Sequence, residues 1–376
     1  MLLFGAMDML RGVAAPFLQH SLSLTYFQLG LLFSMNSVGY LAGSFMSGFA
    51  VETIGLKPVK LIGAAAMAGG LLWFVRSSGF AEAAFGYALA GMGGGWLEIG
   101  INGMIPALTS NERTQAKYFN WLHGVYGFGA FVFPVLAAWL IAALHGWRPV
   151  FGVMFGCTVV LLTLVALANY QGLHVARQGK KDPVPMGVLL KNPHLYGLLA
   201  AILTYVMAEG GIGAWLPTYL VHDRGLSLGQ GSVYLSAFYL LFTIGRLTAH
   251  TWVHRLGNLS SVALAALVAI SCLVIGAVGQ GYFTAFLALA GFGFAPIFPT
   301  ITAAASHRFA DHAGKVLGLL FAAAGIGSLA ANALIGSVAA AFGMRAGFLL
   351  IPVFLIFVVG SIGAVAAFWR RQGFYQ

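Results

Sequence analysis

The sequence predicts an all-α integral membrane protein of twelve transmembrane helices, arranged as two pseudo-symmetric six-helix halves. Three observations carry this. Of 376 residues, 60% are hydrophobic and only 7% charged, whereas a soluble chain carries about a quarter. The apolar runs last about twenty residues without strict alternation, which suits a helix across a bilayer rather than a barrel strand. Three short motifs also recur in order. Ala88-Leu89-Ala90-Gly91-Met92-Gly93 returns as Ala288-Leu289-Ala290-Gly291-Phe292-Gly293, Gly127-Phe128-Gly129 as Gly325-Ile326-Gly327, and Gly146-Trp147-Arg148 as Gly343-Met344-Arg345. Such a series marks a parallel duplication.

The expected spans run at 2–20, 26–50, 59–77, 83–107, 117–143, 147–169, 194–220, 228–252, 259–279, 282–304, 314–341 and 346–369. One polar, proline-bearing connection divides the chain into an N-terminal half (1–169), a cytoplasmic linker (170–193) and a C-terminal half (194–376). The net charge of +10 would suggest nucleic acid on a soluble chain. With both termini in the cytoplasm, however, thirteen of the nineteen Lys and Arg fall on cytoplasmic loops or the tail, as the positive-inside rule requires. The expected partners are therefore the lipid bilayer and a small solute, with no nucleic acid, and the protein is expected to work as a monomer. Cys157 and Cys272 lie in apolar segments and imply no disulfide framework. The first apolar run contains Asp8 and Arg11 and lacks a small-residue cleavage site, so no cleavable signal peptide is expected.

Charged and amide side chains inside spans are the candidate site, because a charge at that depth costs roughly 2.5–3.5 kcal/mol unless it faces protein or water. Glu98 follows the glycine-rich run Gly91 to Gly95 and shares a helix face with Asn102, four residues on. Asn120, His123 and Tyr126 repeat every three residues on the fifth helix, and a neutral His there can relay a proton. Tyr205 and Glu209 share a face of the seventh helix, with Trp215 beyond them as a surface for stacking or as an interfacial anchor. Asp8 and Arg11, three apart, either neutralise each other or add to the cavity. Asn36 with Tyr40, and Asn332, are weaker candidates. Glu98, His123 and Asp8 are the expected proton-coupling groups. Glu98, Asn102, Asn120, His123, Tyr126, Tyr205, Glu209, Trp215, Asn36, Arg11 and Asn332 are the expected substrate-binding set.

Gly48-Phe49-Ala50-Val51-Glu52-Thr53-Ile54-Gly55-Leu56-Lys57-Pro58 resembles the loop signature of the major facilitator superfamily. The stretch from Gly245-Arg246 to Arg255-Leu256-Gly257 resembles its partial repeat. This implies the major facilitator fold, with Glu52, Lys57 and Arg246 as conformational latches. Leu24 to Leu32, Leu97-Glu98 to Asn102, Asn120 to Gly129, Tyr205 to Glu209, Trp215 to Leu220 and Ala295 to Thr300 resemble the fucose/galactose/glucose:proton symporter branch and the related sodium-dependent glucose transporters. In fucose permease, a member of that branch, the position of Glu98 is a proton and sugar site, which the resemblance implies for Glu98. The helix-one carboxylate of fucose permease aligns with Gly12, and Asp8 lies one turn away. The helix-four arginine of drug:proton antiporters has no counterpart between Ala88 and Trp96.

The expectation is a secondary active transporter in a bacterial cytoplasmic membrane, carrying a small neutral polar solute such as a sugar with protons, by alternating access. Paired arginines, which an anionic solute would call for, are missing. The alternatives are sodium-coupled uptake, with Glu98, Asn102 and Glu209 as oxygen ligands, and export of amphipathic compounds or lipids. No cofactor is expected. His307, Asp311 and His312 mimic metal ligands but fall on a loop, so no metal is expected either. The sequence offers no Ser/His/Asp grouping in context and is not read as an enzyme. Phe298 and Thr302 take the places of Glu98 and Asn102 in the second half, which assigns ion coupling to the first.

Overall fold

The computed structural model describes residues 1–109, 111–170, 192–309 and 313–371; the side chains of Glu52 and Asn120 lie outside this set, as does nearly all of the linker, with Asp311 and His312. The chain separates into two compact units, Met1–Gly179 and Lys180–Gln376.

The first unit contains α1 (Leu2–Ser21), α2 (Tyr26–Ile54), α3 (Leu56–Arg76), α4 (Phe80–Asn102), a short α5 (Met104–Leu108), α6 (Glu112–Ala143) and α7 (Trp147–Leu167). The second contains α8 (Pro193–His222), α9 (Leu228–Leu256) and α10 (Asn258–Val278). A 3₁₀ turn (Gly281–Ala285) then leads into α11 (Phe286–Phe294) and α12 (Ile297–Arg308), followed by α13 (Ala313–Phe342), α14 (Met344–Phe348) and α15 (Leu350–Arg371). Ten spans among the described residues are long and apolar enough to cross a membrane. The long helices missing from that group are α1 and α4, which carry Asp8 with Arg11 and Glu82 with Glu98. These charges are what lower their hydropathy.

Two expected spans are interrupted, each for a covalent reason. The fourth was expected to run to residue 107, but α4 stops at Asn102. Pro106 has no N–H for the Asn102 carbonyl, and Gly103 provides the cap. Glu98 consequently sits one turn from the end of its helix rather than mid-span. The tenth breaks between Phe294 and Ile297, because Pro296 and Pro299 leave the carbonyls of Phe292 and Ala295 without helical donors.

Both units pack the same way. In the first, α4 lies against α2 and α3, α1 against α6, and α3 against α7. In the second, α11 lies against α9 and α10, α8 against α13, and α10 against α15. The recurring motifs make these contacts. A Cβ at Gly91 would collide with the Asn36 carbonyl of α2, and one at Gly291 with the Phe238 carbonyl of α9. Such backbone contact is how helices pack where lipid supplies no hydrophobic drive. Arg148 donates to the Ser77 carbonyl at 2.8 Å and to that of Val75 at 3.2 Å, and its counterpart Arg345 donates to Ala277 at 3.4 Å. Each arginine thus closes the C-terminal end of the third helix of its own unit, where cations are favoured. A capping box opens α2 at Thr25 and Gln28, and a second opens α9 at Ser227 and Gln230, fixing both starts.

Gly91→Val and Gly291→Val should each destabilise the protein by about 1–3 kcal/mol through overpacking. Gly363→Val, at a site with nothing within 4 Å of a Cβ, should leave stability near wild type. Thermal unfolding of detergent-purified protein checks this, and equal midpoints for all three would contradict the packing account.

Candidate functional site

In the first unit two carboxylates each meet a tyrosine from another helix. The Tyr40 hydroxyl of α2 donates to Glu98 Oε2 of α4 at 2.7 Å. The Tyr126 hydroxyl of α6 donates to Asp8 Oδ2 of α1 at 2.7 Å. Both lengths are those of strong O–H···O bonds. Both pairs belong to the first unit, one joining α2 to α4 and the other α1 to α6. Close glycine packing places Tyr40 there: a Cβ at Gly95, three residues before Glu98, would strike the Tyr40 carbonyl.

The surrounding candidates divide by what their polar atoms touch. Asn102 presents a buried Oδ1 that has no hydrogen-bond partner among the described residues, so it is a ready acceptor. His123 is exposed on α6. The apolar exposed residues Trp121, Val125, Phe128, Val132 and Trp139 form the opposite stripe of that helix, so the imidazole points away from the lipid-type surface. Asn36 Nδ2 donates to the Tyr87 carbonyl of α4 at 2.9 Å, a bond that staples α2 to α4. Arg11 is buried in α1, three residues from Asp8.

The second unit gives a different picture. Trp215 was expected as a stacking platform or interfacial anchor, and Asn332 as a ligand. Both are instead fully buried, with Trp215 Nε1 donating to Asn332 Oδ1 at 3.2 Å. This bond ties α8 to α13. Tyr205 is likewise fully buried, and its hydroxyl donates to the Phe294 carbonyl at 3.1 Å, at the helix break. Glu209 lies close enough to bond Tyr205 and is partly exposed. Phe298, in the place equivalent to Glu98, packs its ring near those of Tyr205 and Phe321.

Arg246 was expected as a latch. Its Nε approaches the Ala295 carbonyl at 3.4 Å and its guanidinium stacks 4.2 Å from the centre of the Phe242 ring. The carbonyl it meets is one that Pro299 deprives of a donor, so Arg246 repairs the broken helix of its own unit. Lys57 joins α3 to the end of α7, donating to the Ala168 carbonyl at 3.0 Å, beside Tyr170. Lys60 lies over the same ring and contacts Met104 Sδ. The expected latch role of Glu52 falls on a side chain outside the described residues, as does the ligand role of Asn120. No cluster of three or more His, Cys, Asp or Glu capable of holding a metal occurs among the described residues.

Sequence reasoning underrated Tyr40 and missed Tyr87. Only the i, i+4 spacing of Asn36 and Tyr40 marked that face of α2, and nothing local showed that the hydroxyl reaches Glu98.

Tyr40→Phe and Tyr126→Phe are isosteric apart from one bond, worth about 1.5–3 kcal/mol when the partner is charged. In double-mutant cycles read by thermal unfolding, Tyr40→Phe should couple strongly to Glu98→Gln and weakly to Asp8→Asn, with the converse for Tyr126→Phe. Indistinguishable coupling energies would refute the pairing.

Comparison with known proteins gives these features a family. The model of the Major Facilitator Superfamily matches residues 1–284. An uncharacterized MFS-type transporter of Yersinia pestis is 25% identical over 356 residues, covering 93% of this chain and 90% of that protein. A hexuronate transporter of Bacillus subtilis is 26% identical over 253 residues, covering 62% and 57% respectively. The solved structure of the Escherichia coli fucose:proton symporter superposes with a TM-score of 0.60 at 19% identity, over 96% of this chain and 97% of that one. Duplicated six-helix units, the loop signature before Pro58 and this match over most of the sequence agree: the chain belongs to the Major Facilitator Superfamily, as a multi-pass integral membrane transporter rather than an enzyme.

Proposed function

We propose that the protein takes up a small, neutral, polyhydroxylated solute, a sugar, by proton symport with alternating access. On this reading it sits in a bacterial cytoplasmic membrane with both termini inside. The observation that carries the proposal is the pair of tyrosine-held carboxylates, Asp8 and Glu98, on helices of the same unit. Each carboxylate is half-buried on an otherwise apolar helix and held by a hydroxyl from a neighbouring helix, a setting in which it can take up a proton and release it again. Each tyrosine keeps its carboxylate oriented in both protonation states, because a hydroxyl can donate to the anion and accept from the acid.

A sugar suits the remaining atoms. The unpartnered Asn102 Oδ1 accepts from a hydroxyl, and His123 both donates and accepts when neutral. Exchange between solute hydroxyls and the tyrosines at Glu98 and Asp8 would tie solute binding to protonation. The fucose:proton symporter fold match is consistent with this reading.

A second reading is a sugar acid. It is favoured by the hexuronate transporter among the relatives and by the buried Arg11 beside Asp8 on α1, a cation suited to a carboxylate.

Proteoliposome uptake decides among these. With an imposed inward proton gradient, a panel of neutral sugars and hexuronates should include one solute that accumulates, and a sodium gradient should give no added uptake. Failure of every sugar and sugar acid under either gradient would sink the symport reading. Glu98→Gln should abolish gradient-driven accumulation yet retain counterflow exchange. Loss of both in equal measure would make Glu98 a packing or purely solute-binding group.

A further inference from the structure

The second unit holds an apolar groove apart from the polar residues described above. It has a volume of about 330 Å³ and lies where α9, α10 and α11 meet, lined by Trp252, Leu256, Leu264, Val268, Phe292 and Gly293 among others, all without a polar side-chain function except the Trp252 indole N–H. Its floor exists because α11 approaches α10 through Gly293, where a Cβ would press on the Ala265 carbonyl. Its walls are the larger side chains on either side. Leu256, Leu264, Val268 and Phe292 are each between 39% and 47% exposed, so the groove opens outward from the unit. In a membrane protein such a surface meets acyl chains.

One end of the groove is electropositive. Leu256 belongs to the last turn of α9, which also carries His254 and Arg255, both exposed. Arg255 follows Trp252 by three residues and so flanks the same helix face. The chain then turns at Gly257, and α10 begins with no side chain to cap its first N–H groups. A helix start of this kind favours a negative charge. A long apolar slot that ends at a guanidinium and an uncapped helix start matches an amphiphile with one anionic end. A polar solute would leave the slot unfilled, and a second copy of the chain would need a far larger apolar face.

We propose that this groove binds an anionic phospholipid, its acyl chain along Trp252, Leu264, Val268 and Phe292, and its phosphate at Arg255 and the start of α10. The bound lipid fixes the α9–α10 turn, and with it the helix that carries Arg246 to the break between α11 and α12. Basic sites between transmembrane helices bind such headgroups by charge.

The test uses the full-length protein purified in detergent and needs no transport assay, so it stands apart from the symport reading. Native mass spectrometry with phosphatidylglycerol or phosphatidylethanolamine should show preferential retention of phosphatidylglycerol. Arg255→Gln should weaken phosphatidylglycerol about fivefold, the effect expected of one basic residue near a headgroup, and leave phosphatidylethanolamine unchanged. A phosphatidylglycerol bearing a diazirine on its acyl chain should label peptides from the end of α9 and the start of α10. Val268→Trp, which fills the slot from its exposed side, should suppress that labelling; if this variant fails to fold, the wild-type labelling map decides. Equal retention of the two lipids, labelling spread evenly over the outward helices, or crosslinks between two copies through α9 and α10 would each overturn the proposal.

Discussion

The architecture of the first unit depends on one constraint: a carboxylate set on an apolar helix must be met by a donor from another helix. Glu98 satisfies it through Tyr40 at 2.7 Å. That bond can form only if α2 and α4 approach at backbone distance, and glycines at 91 and 95 are what permit this. The glycine-rich run and the carboxylate that follows it are therefore a single device. The glycines remove the side chains that would hold α2 away, and the acid uses the proximity they create. Asn36 reinforces the same seam by bonding the Tyr87 carbonyl.

The second unit keeps the seam and discards the charge. Gly291 lies against α9 as Gly91 lies against α2. Phe298 stands where Glu98 would be, and the helix breaks instead at Pro296. The polar groups near that break, Tyr205 and Arg246, are occupied with carbonyls the prolines leave exposed. Duplication thus preserved backbone packing while the two copies took different polar work. One holds two carboxylates by tyrosine hydroxyls, and the other holds a discontinuous helix together.

Several basic residues find their explanation in the same accounting of backbone groups. Arg148, Arg345 and Arg224 all sit where a helix ends, and each donates to terminal carbonyls, Arg224 reaching Gly276 at 3.0 Å and also Ala277. Lys57 does the same for the end of α7. Each of these cations lies at the C-terminal end of a helix, where the helix dipole favours positive charge.

The sequence by itself determined the all-helical membrane fold and the family, because these rest on composition, length and close-packing motifs that act locally, whereas it placed the fourth and tenth spans without their breaks. It also marked Glu98 and Asp8, since a charge in an apolar run is visible without any fold. It did not determine the partners. Trp215 and Asn332 looked like ligands until tertiary packing showed them bonded to each other. Arg246 looked like a latch until the break between α11 and α12 was placed beside it. The pairing of Glu98 with Tyr40 joins residues 58 positions apart, and that of Asp8 with Tyr126 spans 118. A hydroxyl's reach depends on how closely two helices pack and how each is rotated, and only the folded glycine seams set those quantities.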